Sequence, residues 1–146
     1  MDTRRSVLKA LVAAAFIPLA ARAQARPELV VYKNRGCSCC GGWESHMQAA
    51  GFAVRSYTFD DISAIKRQAG VPEKLQSCHT ALIAGYAIEG HVPAEDVRKL
   101  LRERPKMTGL AVPGMPADAP GMDQRRGTPY QTLAFDSARS WLFAQH

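Results

Sequence analysis

Segments with strand-like and helix-like patterns alternate along the first half of the chain. The run ELVVYKN, residues 28–34, is apolar and rich in β-branched and aromatic residues, which predicts a buried strand. WESHMQAAG, 43–51, predicts a helix that ends at a glycine, and FAVRSYTF, 52–59, alternates like a second strand. DDISAIKRQAG, 60–70, predicts a second helix with an acidic start. This alternation indicates the α/β class.

The second half contains further strand and helix patterns separated by a long loop. TALIAGYAIEG, 80–90, predicts a hairpin, and PAEDVRKLLRER, 93–104, predicts a helix with acids at its start and bases at its end. Pro and Gly recur through 105–129, which predicts a loop. YQTLAFD, 130–136, predicts a strand, and WLFAQH, 141–146, either pairs with it or forms a short helix. The order β-α-β-α-β-β-α resembles the thioredoxin-like and glutaredoxin-like fold, with an added Pro/Gly/Met loop and C-terminal strand region.

The first 25 residues have the pattern of an export signal. A positive start precedes an apolar run at 11–21, and the small residues around Ala23 and Ala25 suit a cleavage site. The apolar run is too short for a membrane-spanning helix, which needs roughly 20 residues. TRRSVLK resembles the twin-arginine signal, with Val7 in place of the usual Phe. We therefore expect a signal peptide at 1–25, a single domain at 26–146 and a periplasmic location, with an N-terminal core helix as the alternative for 1–25.

The charge of the chain argues against a nucleic-acid partner. The full chain carries a formal charge of +6, but the predicted signal holds four of the basic residues and one acidic residue. Its removal leaves a charge of about +3, with no basic run interleaved with aromatic residues. We expect neither nucleic-acid binding nor a membrane span once the signal is removed.

Four cysteines carry the candidate chemistry. Cys37, Cys39 and Cys40 fall within four positions, and Cys78 stands apart. Two structural disulfides are the ordinary use of four cysteines in an exported protein. That use fits poorly here because only one cysteine lies outside the cluster.

A redox site and a metal site remain as alternatives. Cys37 and Cys40 have C-x-x-C spacing after a predicted strand and before a helix, where the helix N-terminus lowers the pKa of a thiol. Cys39 would offer this pair a competing disulfide. A metal site would use that third thiol, since the metal ligand is also a thiolate.

The segment SCHT, 77–80, favours the metal site. The resemblance to thioredoxin-like proteins implies a cis-proline at this position, where the segment folds against the C-x-x-C site. Here Cys78 and His79 stand there instead. Thiolates with an imidazole select Cu(I), Zn or an iron–sulfur cluster, and the methionines of the 105–129 loop favour Cu(I), because thioethers rarely bind Zn.

Other histidines and methionines are weaker candidates. Met107, Met115 and Met122 are as readily explained by packing, although PGM occurs twice. His46 would lie roughly 9 Å along a helix from the cysteines, at 1.5 Å per residue, and is a candidate for a helix face or a second site. His91 is typical of a histidine that bonds a neighbouring turn.

Several motifs together resemble the bacterial family catalogued as domain of unknown function 411. They are CxCCGGW, SCHTALIAGYAIEGHVPAEDVRKLL and GLAVPGMPADAPGM, and the resemblance spans 29–135. It implies an exported metal-binding protein associated with copper resistance or delivery. The implied candidate ligands are Cys37, Cys39, Cys40, Cys78 and His79, with Met115, Met122, His91 and His46 as motif positions of undefined role.

Two functions follow as hypotheses. The leading one is a periplasmic Cu(I)-binding protein that sequesters copper or exchanges it with a donor or acceptor protein, without turnover chemistry, and Zn is the alternative metal. The other is an enzyme, either a thiol–disulfide oxidoreductase or a metal-ion reductase that uses Cys37 and Cys40.

Overall fold

The computed structural model describes residues 26–122 and 124–146. The predicted signal peptide, 1–25, lies outside these residues. Within the described ranges, no helix is long and apolar enough to cross a membrane.

Strands and helices follow one another in nearly the predicted order. In sequence they are β1 (Leu29–Asn34), α1 (Cys40–Ala49), β2 (Val54–Phe59), α2 (Ser63–Gln68), a 3₁₀ turn (Glu73–Leu75), β3 (His79–Ile83), β4 (Tyr86–Glu89), α3 (Ala94–Glu103), β5 (Gly109–Ala111), β6 (Gln131–Phe135) and β7 (Ser140–Gln145).

The strands form one mixed sheet in the order β2-β1-β3-β4-β5-β6-β7. β2 lies parallel to β1, whereas β3 is antiparallel to β1 and β4 is antiparallel to β3. β5 joins β4 in parallel, and β6 and β7 extend the sheet as antiparallel strands. The α/β class is therefore confirmed, and the C-terminal segment 141–146 follows its strand alternative rather than the short helix.

The prediction of an uninterrupted loop over 105–129 is wrong at β5. Its three residues, Gly109 to Ala111, are fully buried in the middle of the sheet. Gly109 is required there, because a Cβ on it would come within 1.9 Å of the carbonyl oxygen of Ala87. So short a strand, begun by a glycine, has too few residues to show a period of two.

Helices α1 and α3 cover one face of the sheet. Trp43 and Met47 of α1 and Val97 and Leu100 of α3 are buried in one apolar cluster with inward residues of β1, β3 and β4. A smaller cluster on the other face contains Val71, Leu75, Ala87, Ala111 and Phe135. This packing leaves the start of α1 and the start of β3 at the same end of the molecule.

Candidate metal centre

The sheet register brings the two cysteine segments together. β1 ends at Asn34, a turn through Gly36 with φ +86° follows, and the cysteines come directly after it. β3 is the neighbour of β1, and His79 pairs with Lys33 near the end of that strand. Cys78 therefore lies beside the loop that carries the other three cysteines.

The four cysteine side chains form one cluster. All four sulfur atoms lie within 4.8 Å of one another. Cys37 and Cys40 form a disulfide across the C-x-x-C spacing, with 5.6 Å between their Cα atoms, while Cys39 and Cys78 are free thiols. Among its described residues, the structure thus contains one local disulfide and not the two structural disulfides considered from the sequence.

The surroundings of the thiols differ in charge and exposure. Cys39 and Cys40 lie at the N-terminus of α1, where no side chain caps the free N–H groups of the helix. Burial, together with the neighbouring Cys39, raises the pKa of Cys78 to about 12. Cys78 is therefore a protonated thiol at neutral pH unless a metal displaces its proton.

Two buried imidazoles lie next to Cys78. His79 and His91 are fully buried, with their ring centroids 5.4 Å apart, and the ring of Trp43 lies 4.3 Å from that of His79. His79 Nδ1 is 3.3 Å from Cys78 Sγ. Burial lowers the pKa of both histidines, so both rings are neutral at neutral pH and able to act as ligands.

The remaining candidate residues occupy different surroundings. His46 Nε2 accepts a hydrogen bond from the backbone N–H of Ala94 at the start of α3, and burial lowers the pKa of this histidine too. Met115 is 58% exposed, and its sulfur lies 3.9 Å from Cys39 Sγ. Met107 and Met122 are partly buried and pack against the main apolar cluster.

The loop between β5 and β6 is fastened over the centre at three points. Ser77 Oγ donates a hydrogen bond to the carbonyl oxygen of Gly114. His91 Nδ1 donates to the carbonyl oxygen of Pro120 at 2.6 Å. Gly121 lies so close to Gly42 that a Cβ on Gly42 would meet its oxygen at 2.6 Å. This loop therefore holds Met115 beside the thiols.

A buried ion pair behind the centre was not predicted from the sequence. Glu89 is fully buried and accepts hydrogen bonds from Lys66 Nζ, from Thr80 Oγ1 at 2.6 Å and from the backbone N–H of Ser77 at 2.7 Å. Burial raises the pKa of Glu89, while the charge of Lys66 opposes that shift. Through Ser77 and Thr80, the carboxylate holds both ends of the segment that carries Cys78 and His79. No sequence signal marked these residues, because a lone acid in a hairpin and a lysine in a helix are normally exposed.

Comparisons with known proteins find a matching family and two similar solved structures. A family profile described as "Protein of unknown function, DUF411" matches residues 75–122, which include Cys78, His79 and the Met115 loop. Two solved structures of "Copper resistance protein copG", Form 1 and Form 2, are each 40% identical to the chain. The first covers 83% of this chain and 98% of its own with a TM-score of 0.77; the second covers 84% and 99% with a TM-score of 0.78. No curated protein sequence matches the chain.

Proposed function

This chain belongs to the DUF411 family and is similar to copper resistance protein CopG, and we propose that it is an exported copper-binding protein that holds Cu(I) through Cys37, Cys39, Cys40 and Cys78. Copper is its cargo, taken up for sequestration or for exchange with a donor or acceptor protein.

The observation that carries this proposal is the cluster of four sulfur atoms within 4.8 Å of one another. Thiolates are soft ligands and favour Cu(I) or Zn over hard cations. The exposed sulfur of Met115, 3.9 Å from Cys39, adds a thioether that suits Cu(I) and rarely serves Zn. The similarity to copper resistance protein CopG also favours copper over zinc.

The oxidation state of Cys37 and Cys40 gives the protein two forms that differ in the thiols available to bind copper. In the oxidised form, Cys39 and Cys78 are the thiols left for copper. Reduction of the Cys37–Cys40 bond doubles the number of thiols at the centre. We infer that the reduced form is the one that binds Cu(I) tightly.

The other candidate residues receive separate roles. Met115 is the exposed ligand on the side from which copper enters, whereas Met122 and His46 are structural, since one packs on the core and the other caps α3. His79 and His91 stand on the buried side of Cys78.

The location and fold are part of the same proposal. Residues 1–25 are proposed as a twin-arginine signal, so that the chain is exported folded and acts in the periplasm. Strands β1 to β4 with α1 to α3 are proposed as a thioredoxin-like unit, supported by the order β2-β1-β3-β4 with β3 antiparallel to its neighbours. Strands β5 to β7 are then an addition that carries the Met115 loop.

Anaerobic titration of the reduced protein against a Cu(I) chelator tests the proposal. We expect the protein to remove Cu(I) from the chelator, and the Cys37→Ser/Cys39→Ser/Cys40→Ser variant to lose this ability. Ser38→Ala is the matched control, because it changes the same loop and keeps every thiol. Equal affinity in the triple variant and the unmodified protein would refute the assignment.

A second candidate function, reduction of Cu(II), is favoured by the disulfide itself. Two thiolates at a helix N-terminus can give two electrons to two Cu(II) ions, which leaves one Cys37–Cys40 disulfide and two Cu(I) ions. Sustained reduction of Cu(II) or of insulin with a thiol co-substrate, abolished by Cys40→Ser but not by Cys39→Ser, would make the protein an enzyme. Binding of Cu(I) without such turnover would support the carrier.

A further inference from the structure

Strand β2 lies at one end of the sheet with its outer side open. Among the described residues, β1 pairs with it on one side and no strand pairs with it on the other. The carbonyl oxygens of Ala53 and Phe59 accept hydrogen bonds from the β1 side. Because successive residues of a strand direct their N–H and C=O groups to opposite sides, those of Val54, Ser56 and Thr58 point away from β1. β2 therefore presents a row of unpaired backbone groups.

β2 lacks the features that usually protect an edge strand. Natural proteins protect such edges with proline, bulges or inward charges. The segment VRSYTF, 54–59, contains no proline or glycine, carries a single charge at Arg55, and pairs with β1 in an unbroken register. All of its residues after Val54 are exposed. An unprotected edge of this kind is able to pair with a further strand.

Aromatic side chains lie beside this edge on one face of the sheet. Tyr57 and Phe59 are 43% and 40% exposed, and their ring centroids lie 5.9 and 6.2 Å from that of Tyr32 on β1. This face is opposite to the one that α1 and α3 cover, because Leu29 and Val31 pack under those helices and side chains alternate along β1. Aromatic residues exposed together are typical of an interaction surface.

The charges along β2 make the strand complementary to a second copy of itself. Arg55 lies near its start, whereas Asp60 and Asp61 follow its end. An antiparallel copy brings Arg55 of each chain near the acidic end of the other. A parallel copy in register would place the two arginines side by side, which is unfavourable. The edge therefore favours an antiparallel partner of the same sequence.

We propose that two copies of this chain pair through the outer edges of their β2 strands, antiparallel, with Tyr57 opposite Tyr57 of the other copy. Ser56 of each chain then exchanges backbone hydrogen bonds with Thr58 of the other, since both residues point outward. On the aromatic face, Arg55 lies over Phe59 of the other copy in a cation–π contact and diagonal to its Asp61. Pairing centred on Arg55 would bring two guanidinium groups together.

The dimer joins two sheets into one and leaves both cysteine clusters open. The end of β2 lies beside the cysteine loop, because the backbone N–H of Arg35 bonds the carbonyl oxygen of Phe59. Antiparallel pairing places the two ends, and with them the two clusters, at opposite ends of the paired strands. The interface uses no cysteine, so the proposal goes beyond the proposed function and does not depend on metal binding.

Sedimentation of the purified protein, reduced and free of metal, tests the proposal. Reductant and a chelator exclude dimers that are linked by a disulfide or by shared copper. Pairing of two short strands makes a small interface, so we expect a dimer whose fraction grows between about 10 μM and about 1 mM protein. A chain that stays monomeric over this range would overturn the proposal.

Two variants separate edge pairing from other contacts. Thr58→Pro removes an outward N–H and keeps the bonds between β2 and β1, while Arg55→Glu places like charges near Asp61 of the other copy. Each change occurs twice in a two-fold dimer, and each should raise the dissociation constant by roughly tenfold or more. Lys74→Glu is the matched control, because it makes the same change of charge at an exposed residue of the 3₁₀ turn. A dimer that resists both β2 variants would overturn the proposal.

Amide hydrogen exchange of the unmodified protein adds a measurement by residue. The N–H groups of Ser56 and Thr58 should exchange quickly in dilute solution and slowly in concentrated solution. The N–H of Tyr57 faces β1 and should be protected in both. Equal exchange of Ser56 and Thr58 at the two concentrations, in a sample that sediments as a dimer, would refute pairing through β2. This readout keeps the proposal falsifiable even if Thr58→Pro fails to fold.

Discussion

At the scale of single residues, the centre has an exposed side and a buried side. Met115 and Cys39 lie on the exposed side, while His79 and His91 lie on the buried side, and Cys78 stands between them. A metal that enters from solvent meets soft sulfur ligands first. The residues on the exposed side should therefore govern uptake and exchange of copper and contribute little to folding.

Replacement of Met115 tests this division. We expect Met115→Leu to weaken Cu(I) binding by less than about tenfold, which corresponds to about 1.4 kcal/mol, because one of several sulfur ligands is lost. The free energy of unfolding of the metal-free protein should not change, since the side chain is 58% exposed. Chelator competition and urea unfolding measure the two quantities.

Met122→Leu is the control for that experiment. This methionine packs against the core, so the substitution keeps its volume and should leave the affinity for Cu(I) unchanged. A larger loss of affinity with Met122→Leu than with Met115→Leu would contradict the assignment.

At the scale of elements, the buried pair Lys66–Glu89 connects α2, β4 and the segment before β3. The carboxylate bonds Ser77 and Thr80 on either side of Cys78 and His79. A buried pair contributes little net stability compared with apolar residues, but the loss of one partner is costly. Its role here is to hold Cys78 and His79, two candidate ligands, in place.

Glu89→Gln should therefore destabilise the protein strongly. The substitution leaves the buried Lys66 without a counter-charge, and we expect a loss of about 3 kcal/mol in the free energy of unfolding. Chemical unfolding followed by circular dichroism measures it, and the double variant Lys66→Met/Glu89→Gln should recover part of the loss.

Asp60→Asn provides the comparison. Its ion pair with Arg35 is largely exposed, with 74% and 86% of the two side chains accessible. Removal of this pair should cost less than about 0.5 kcal/mol. If Glu89→Gln cost no more than Asp60→Asn, the pair would not have the structural role given to it.

Alanine substitutions at two adjacent glycines at the start of α1 should have opposite effects on stability. A Cβ on the exposed Gly41 meets no atom within 4 Å, so Gly41→Ala should stabilise the helix by about 0.5 kcal/mol. A Cβ on Gly42 would meet the oxygen of Gly121 at 2.6 Å, so Gly42→Ala should push the loop away, destabilise the protein and weaken Cu(I) binding. Thermal unfolding and chelator competition on both variants check this, and a neutral Gly42→Ala would show that the contact is not required.

At the scale of the whole molecule, the three added strands bring the loop to the centre. β5 joins β4 in the sheet, and the chain between β5 and β6 crosses over the cysteines before it returns. The centre thus uses the start of α1, the start of β3 and this loop, which come from distant parts of the sequence. Metal bound there should stabilise the entire fold.

Copper should raise the melting temperature of the reduced protein and affect the oxidised protein much less. At a free Cu(I) concentration about 100-fold above the dissociation constant, binding adds about 2.7 kcal/mol, or roughly 10 °C for a domain of this size. The disulfide form keeps two of the four thiols and should shift much less. Differential scanning calorimetry under anaerobic conditions measures both, and equal shifts would contradict the role of Cys37 and Cys40 as ligands.

The sequence by itself determined most of the secondary-structure elements and indicated the candidate ligands. Hydrophobic periodicity is local, so the strands and helices from β1 to α3 were predictable, as was β6. The approach of Cys78 to the other cysteines was implied by the resemblance to thioredoxin-like proteins. β5 escaped prediction because three residues carry no period, and its place depends on the backbone of β4. The export signal and the ligand roles remain predictions.

The tertiary structure alone decided which side chains meet. The register of β3 on β1 and the course of the 112–122 loop place His91 against Pro120, Met115 against Cys39, and Glu89 against Lys66. Each contact joins residues 23 or more positions apart, where no local pattern acts. The burial of His91 and Glu89, and the lack of a hydrogen-bond partner for His91 Nε2 among the described residues, follow from tertiary packing. Such packing exists only once distant segments have come together.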